Sequence, residues 1–159
     1  MSEKFKEFKA EDTVLIYPCS RKFYEQELEA LKNKLSDFCT EIKREHEVEI
    51  AWDLRYNRFI LFAIDFDNKP PQNKIIDQCA GIVMDLEKEL KVQLLDRMNI
   101  SFKQGQYIQY KELSDLKKLI KNRAITAKTI VFDNLINTIE DLEENWELPL
   151  SESWYNRYL

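Results

Sequence analysis

Apolar positions change period several times along the chain, and each change marks an element. Thr13-Val14-Leu15-Ile16-Tyr17 is a β-branched and aromatic run stopped by Pro18, which predicts a strand. Ser20 then stands where it can cap a helix. From Tyr24 the residues Leu28, Leu31, Leu35, Phe38 and Ile42 follow at alternating steps of four and three, which stacks them on one helical face. Val48, Ile50, Trp52, Leu54 and Tyr56 alternate with polar or small residues, a period of two that predicts a strand with one core face and one polar face. Arg58 to Asp67 behaves differently. Phe59, Ile60, Leu61, Phe62, Ala63 and Ile64 are apolar on both faces, as a central strand covered on both sides requires, and Asn57 between the two runs predicts a hairpin turn.

Asn68-Lys69-Pro70-Pro71 breaks the pattern, and Ile75, Ile76, Cys79, Ile82, Val83, Leu86 and Leu90 then share the face of a second helix. Gly81 inside that helix costs about 1 kcal/mol against alanine, so it is expected to mark a close crossing on the sheet. Ile100 and Phe102, a Gln104-Gly105 turn, and Tyr107 to Tyr110 predict another hairpin. Leu113, Leu116, Leu119 and Ile120 predict a third helix, and Thr129 to Phe132 a further strand. Thr138 is a helix cap whose hydroxyl can accept from the amide of Asp141, starting a short acidic helix that runs to about Trp146 and is closed by Pro149. Trp154, Tyr155 and Tyr158 near the end of the chain are too apolar to stay in water, and either complete the core or form a partner surface.

The order strand, helix, strand, strand, helix, strand is that of a ferredoxin-like unit, extended here by a hairpin, a helix, a strand and a docked aromatic segment. The expected class is α+β, a single domain over residues 1–159 with a charged N-terminal segment (1–12) and an acidic aromatic C-terminal segment (138–159) packing on the body.

Composition narrows the function. With 44% apolar and 33% charged residues, but only 2 glycines and 4 prolines in 159 residues, there is neither a low-complexity chain nor a glycine-rich phosphate loop. No G-x-x-x-x-G-K-[ST] or G-x-G-x-x-G occurs, so the strand ending at Asp65 does not by itself imply a nucleoside triphosphatase. The net charge of -5 is unevenly placed. Residues 140–159 hold six acids against Arg157, whereas Lys103, Lys111, Lys117, Lys118, Lys121, Arg123 and Lys128 form a basic stretch that the acidic tail can cover. Cys19, Cys39 and Cys79 have no paired spacing, and His46 lies near none of them in sequence, which disfavours disulfides and zinc. The charged first dozen residues resemble no secretory signal, and no stretch approaches the ~18 to 20 apolar residues of a membrane span. The expectation is a cytoplasmic protein in a reducing compartment, with no membrane partner.

Four sets of side chains are candidates for chemistry. Arg55 and Arg58 flank the hairpin turn and, with Tyr56, can grip a carboxylate or phosphate; paired with nearby acids they would be structural only. Asp65 and Asp67, two apart on a strand, can hold a hard divalent ion with help from Asp53 or Asp77, or simply form the solvated end of that strand. Lys117, Lys118, Lys121 and Arg123 allow nucleic acid, the weakest of the readings in an acidic chain without stacking-aromatic motifs. For catalysis the supply is thin: His46 suits a helix C-terminus, Cys39 and Cys79 suit the core, and Cys19 after Pro18 is the one thiol expected to be exposed.

Arg55-Tyr56-Asn57-Arg58-Phe59, Leu94-Leu95-Asp96-Arg97, Asn134-Leu135 with Thr138, and the closing Trp146, Pro149, Trp154 and Arg157-Tyr158 resemble a family of small Bacteroidetes proteins whose members often carry the label "ABC transporter ATPase". The similarity runs from about residue 13 to the end. The resemblance implies no reaction or ligand, and the Walker A loop that the label would need is absent. It adds Asp77, Arg97, Trp154 and Tyr158 to Arg55 and Arg58 as places where a site can lie.

Two functions follow as expectations. The first is a non-enzymatic protein-binding or adaptor module without nucleotide hydrolysis, using the arginine-bearing hairpin with Trp154 and Tyr158, its partner a protein and a second copy of the chain included. The alternative is a small-ligand or metal-dependent enzyme acting on an anionic or phosphorylated substrate, with Asp65 and Asp67 on the metal and Arg55, Arg58 or Arg97 on the anion. No organic cofactor is expected.

Overall fold

The computed structural model describes residues 3–159, which form an α+β structure of four α-helices and two antiparallel sheets. Strand β1 (Thr13–Pro18), helix α1 (Glu25–His46), strands β2 (Glu49–Arg55) and β3 (Phe59–Asp65) and helix α2 (Asn73–Leu90) come first. The first sheet has the order β1-β3-β2, with β3 between two antiparallel neighbours. The side-chain period of two then divides β1 and β3 between two cores. Leu15, Tyr17, Ile60, Phe62 and Ile64 face α1 and α2, where Leu31, Leu35, Ile42, Ile75, Val83 and Leu86 meet them. Val14, Ile16, Phe59, Leu61 and Ala63 face the other way, onto Phe5 and the C-terminal part of the chain.

Covering of that second face corrects the reading of β2. Its expected polar face is solvated only at Glu49: Ala51 packs into the second core, and Asp53 is buried beside Arg55. Phe5 from a short 3-10 turn (Glu3–Phe5), together with Trp146, fills the space above them. Burial of a phenylalanine or tryptophan of this kind contributes about 3 kcal/mol or more, so Phe5 and Trp146 help to seal this face of the sheet.

The second sheet holds β4 (Ile100–Gln104), β5 (Tyr107–Lys111), β6 (Ile130–Phe132) and β7 (Glu147–Pro149) in the order β5-β4-β6-β7. The strand after α2, which a ferredoxin-like sheet would pair with β1, instead pairs with β5 and β6. The edge of β1 is used by the chain beyond β6: the Val14 amide donates to the Asn137 carbonyl, and Thr13 bridges Thr138. Helix α3 (Leu116–Lys121) and the C-terminal segment close this sheet around Ile100, Phe102, Leu116, Ile125, Val131, Leu150 and Tyr155. Burial holds the Tyr155 hydroxyl well above its usual pKa, and its proton goes to the Met98 and Asn99 carbonyls at 3.0 and 3.2 Å. Helix α4 (Ile139–Glu144) starts at Thr138, whose hydroxyl accepts from the Asp141 amide at 3.1 Å.

Three local readings are corrected. Ser20 does not cap α1: its hydroxyl accepts from the Gln93 amide, and the helix starts after Tyr24, where the Glu27 carboxylate accepts from the Tyr24 amide at 2.8 Å. His46 does not cap its C-terminus; Glu47 turns left-handed there and donates its amide to the Lys43 carbonyl, while the imidazole meets the Gln78 side chain at 2.7 Å. Gly81 marks no close crossing, because a Cβ placed on it meets nothing within 4 Å. Among the described residues no helix is long and apolar enough to cross a membrane.

Candidate functional site

The β2–β3 connection creates the most distinctive polar feature of the molecule. Three residues, Tyr56, Asn57 and Arg58, join the paired Arg55 and Phe59. Tyr56 and Asn57 both take positive φ, +56° and +50°, and the Arg58 amide donates to the Arg55 carbonyl at 3.1 Å. Two such residues already close a tight hairpin, so Arg58 is one residue more than the turn needs, and an extra residue of this kind re-aims its side chain out of the ladder. Asparagine tolerates the left-handed region; a bulky tyrosine there is uncommon.

Backbone bonds strap the β1–α1 connection onto this turn. The Cys19 amide donates to the Arg58 carbonyl at 2.8 Å and the Phe23 amide to the Asn57 carbonyl at 2.7 Å, which sets Lys22 beside the turn. From the other side comes the β4–β5 hairpin. Gln104 and Tyr107 are its closing pair, so Ile108, in the next pair, turns its carbonyl away from β4. That carbonyl accepts a hydrogen bond from Arg58 Nη1.

Between the two hairpins lies a pocket of about 440 Å³, lined by Lys22, Tyr56, Asn57, Arg58, Gln106, Tyr107 and Ile108. Arg58 is only 8% exposed, yet among the described residues it forms no ion pair, and its Nε is buried without any partner. Burial pushes its pKa below the ordinary arginine value, with no neighbouring carboxylate to oppose it. A buried guanidinium in this condition is costly until an anion reaches it. The lining contains two cations and no acid, in a chain where Asp and Glu outnumber Lys and Arg by 29 to 24.

Arg55 is the opposite case. Its Nε contacts Asp53 Oδ2 at 3.2 Å, and its guanidinium lies 5.8 Å from the Phe5 ring centre and 5.7 Å from that of Trp146. Arg55 Nη2, like Arg58 Nε, is buried without a hydrogen-bond partner, so what separates the two candidate arginines is the carboxylate: Arg55 has one and Arg58 does not. Arg97 is elsewhere, 5.6 Å from the Tyr17 ring, and does not line the pocket.

The remaining candidates are placed as follows. Asp65 closes β3 and accepts from Lys9 Nζ at 2.9 Å and from the Asp67 amide at 2.7 Å; the Lys9 bond holds its pKa below the usual carboxylate range. Asp67 lies past the strand at φ +55°, Asp53 is paired with Arg55, and Asp77 is exposed on α2. These four do not converge, and no group of three or more acid, histidine or cysteine side chains placed for a metal occurs among the described residues. Cys19, expected to be exposed, is fully buried, and burial pushes its pKa up, as it does for Cys39, to about 12, and for Cys79. Lys117, Lys118, Lys121 and Arg123 are exposed, and the acidic tail does not cover them; Glu147 pairs instead with Lys103 at 2.5 Å. Trp154 and Tyr158 are half-buried against the second sheet, with the Arg157 guanidinium 4.1 Å from the Trp154 ring centre. Lys22, Gln106, Tyr107 and Ile108 carried no sequence signal, because the chain brings them to Arg58 only through contacts distant in sequence.

No protein-family model, no curated protein and no solved structure matches the chain.

Proposed function

We propose that the protein is a binding module, without nucleotide hydrolysis, that takes the anionic group of a small molecule into the pocket between the β2–β3 and β4–β5 hairpins. The observation that carries this reading is Arg58: buried, free of any carboxylate partner, with an orphaned Nε beside a pocket that also presents Lys22. A guanidinium fork with one arm fixed on a backbone carbonyl is preorganised for a carboxylate or phosphate oxygen. The titratable side chains of the lining besides Arg58 are Lys22, Tyr56 and Tyr107, with no carboxylate, imidazole or thiol, a set that suits holding an anion. The free, buried thiols suit a reducing cytoplasm.

Calorimetric titration with inorganic phosphate and with acetate at low salt tests this reading. Both the unmodified protein and Lys22→Gln, a change at an exposed position, are expected to bind at least one anion, the variant several-fold more weakly. Arg58→Gln is expected to bind at least tenfold more weakly. Equal affinity in Arg58→Gln, or no binding of either anion by the unmodified protein, overturns it.

A further inference from the structure

The pocket has a second distinctive component besides its charge. Tyr56 and Tyr107 both line it, and both are exposed residues, at 45% and 65% respectively. The Tyr56 ring is held from behind: it meets Phe132 at 5.5 Å and Trp146 at 6.1 Å between ring centres, and its hydroxyl donates to Glu147 at 2.7 Å. Burial and that bond push its pKa up, so it stays a neutral phenol. A bulky side chain at φ +56°, where glycine or asparagine would be easier, keeps this ring at the pocket. Tyr107 is anchored differently. It sits at the closing pair of a tight hairpin whose Gly105 takes φ +62°, so its backbone is fixed while its ring stays in water. Aromatic surface left exposed next to an unpaired buried cation, one of its two rings held by neighbouring rings, is more than an anion alone requires, since a bare phosphate gains nothing from ring faces.

We infer that the ligand is an anion carried on a flat aromatic or heteroaromatic ring, with the anionic group on Arg58 and Lys22 and the ring against Tyr56 and Tyr107. The inference rests on the anion-binding reading above and adds the body of the ligand to its head. A volume of about 440 Å³ accommodates both parts, whereas a lone phosphate or carboxylate would leave most of it to water. Stacking against tyrosine is tolerant of ring type, so aryl acids, aryl phosphates and small nucleotides share the chemistry.

Calorimetry with phenyl phosphate and inorganic phosphate, at matched ionic strength and pH, tests the inference on the full chain. Phenyl phosphate is expected to bind at least tenfold more tightly than inorganic phosphate. Tyr107→Ala, at a position 65% exposed, should remove most of that advantage by weakening phenyl phosphate far more than inorganic phosphate, and Tyr107→Phe should retain it. Equal affinity for the two anions, or an equal loss of both in Tyr107→Ala, overturns the aromatic inference and leaves the anion site standing. Binding of neither overturns both.

Discussion

Arg55 and Arg58 lie three residues apart on either side of one turn, and they occupy opposite kinds of environment. Around Arg55 the chain supplies a counter-charge and aromatic surface: the Asp53 carboxylate 3.2 Å from Nε, and the rings of Phe5 and Trp146 at 5.8 and 5.7 Å. Around Arg58 it supplies a backbone carbonyl, a neighbouring lysine and space. The first charge is neutralised within the chain, although Arg55 Nη2 is also buried without a hydrogen-bond partner. The second has no carboxylate partner among the described residues, and that lack is what points to a ligand. Both arginines are partly or wholly buried, so burial alone does not distinguish a structural charge from a binding one; the partner does.

The largest way to break the comparison is Trp146→Ala. It removes a side chain 2% exposed, 5.0 Å between ring centres from both Phe59 and Phe132, and bonded through Nε1 to Asn134. A loss of about 3 to 5 kcal/mol in urea unfolding is expected, and a loss under about 1 kcal/mol would show that this core is not sealed by the C-terminal segment. Arg55→Ala comes next. It leaves Asp53 buried without its partner and should cost about 2 kcal/mol, whereas Arg58→Met should stay within about 1 kcal/mol of the unmodified protein because it removes a buried charge that has no acid to lose. Equal destabilisation by the two substitutions would erase the distinction drawn between them.

Gly81→Ala sharpens the comparison by supplying a more stable background for those variants. Space around the position is open, so a gain of about 0.5 to 1 kcal/mol is expected from helix propensity, and a loss would mean that the helix needs this glycine. The smallest effect belongs to a third charged cluster, at Asp65. Its folded pKa lies below its unfolded value because of Lys9, so its contribution is present above the unfolded value and is lost as the pH falls through the folded one. Asp12 beside it, raised by burial, works in the opposite direction, with stability gained as it protonates. Lys9→Ala should therefore weaken the acid-side loss of stability measured between pH 5 and pH 2. An unchanged acid limb would show that Lys9 contributes nothing there.

Much of the local structure was legible from spacing. The four-and-three steps of Leu28 to Ile42 belong to α1, the two-sided apolar run Phe59 to Ile64 to a central strand, and the hydroxyl of Thr138 to the cap of α4. These are consequences of 3.6 and 2.0 residue periods and of local hydrogen bonding, which a single segment contains in full. The reading failed where a distant segment decides. The polar face of β2 is covered at Ala51 and Asp53 because Phe5 and Trp146 pack there from distant parts of the chain, Cys19 is sealed from solvent in the helix-side core, and Gln93 takes the Ser20 hydroxyl that local spacing assigned to a helix cap.

The candidate site divides in the same way. The stretch Arg55-Tyr56-Asn57-Arg58 identified a place where an anion can be held, because arginines beside a turn are readable in any sequence. Which of the two arginines lacks a carboxylate was decided by tertiary structure, through Asp53 on one side and the outward carbonyl of Ile108 on the other. Sequence by itself determined the helices, the strands other than β7, their apolar faces and the α+β class, since those depend on near neighbours. Only the tertiary structure decided the division into two sheets, the covering of both faces of the first, and the meeting of two hairpins around Arg58, since each depends on which distant groups satisfy a buried polar atom and which leave it unpaired.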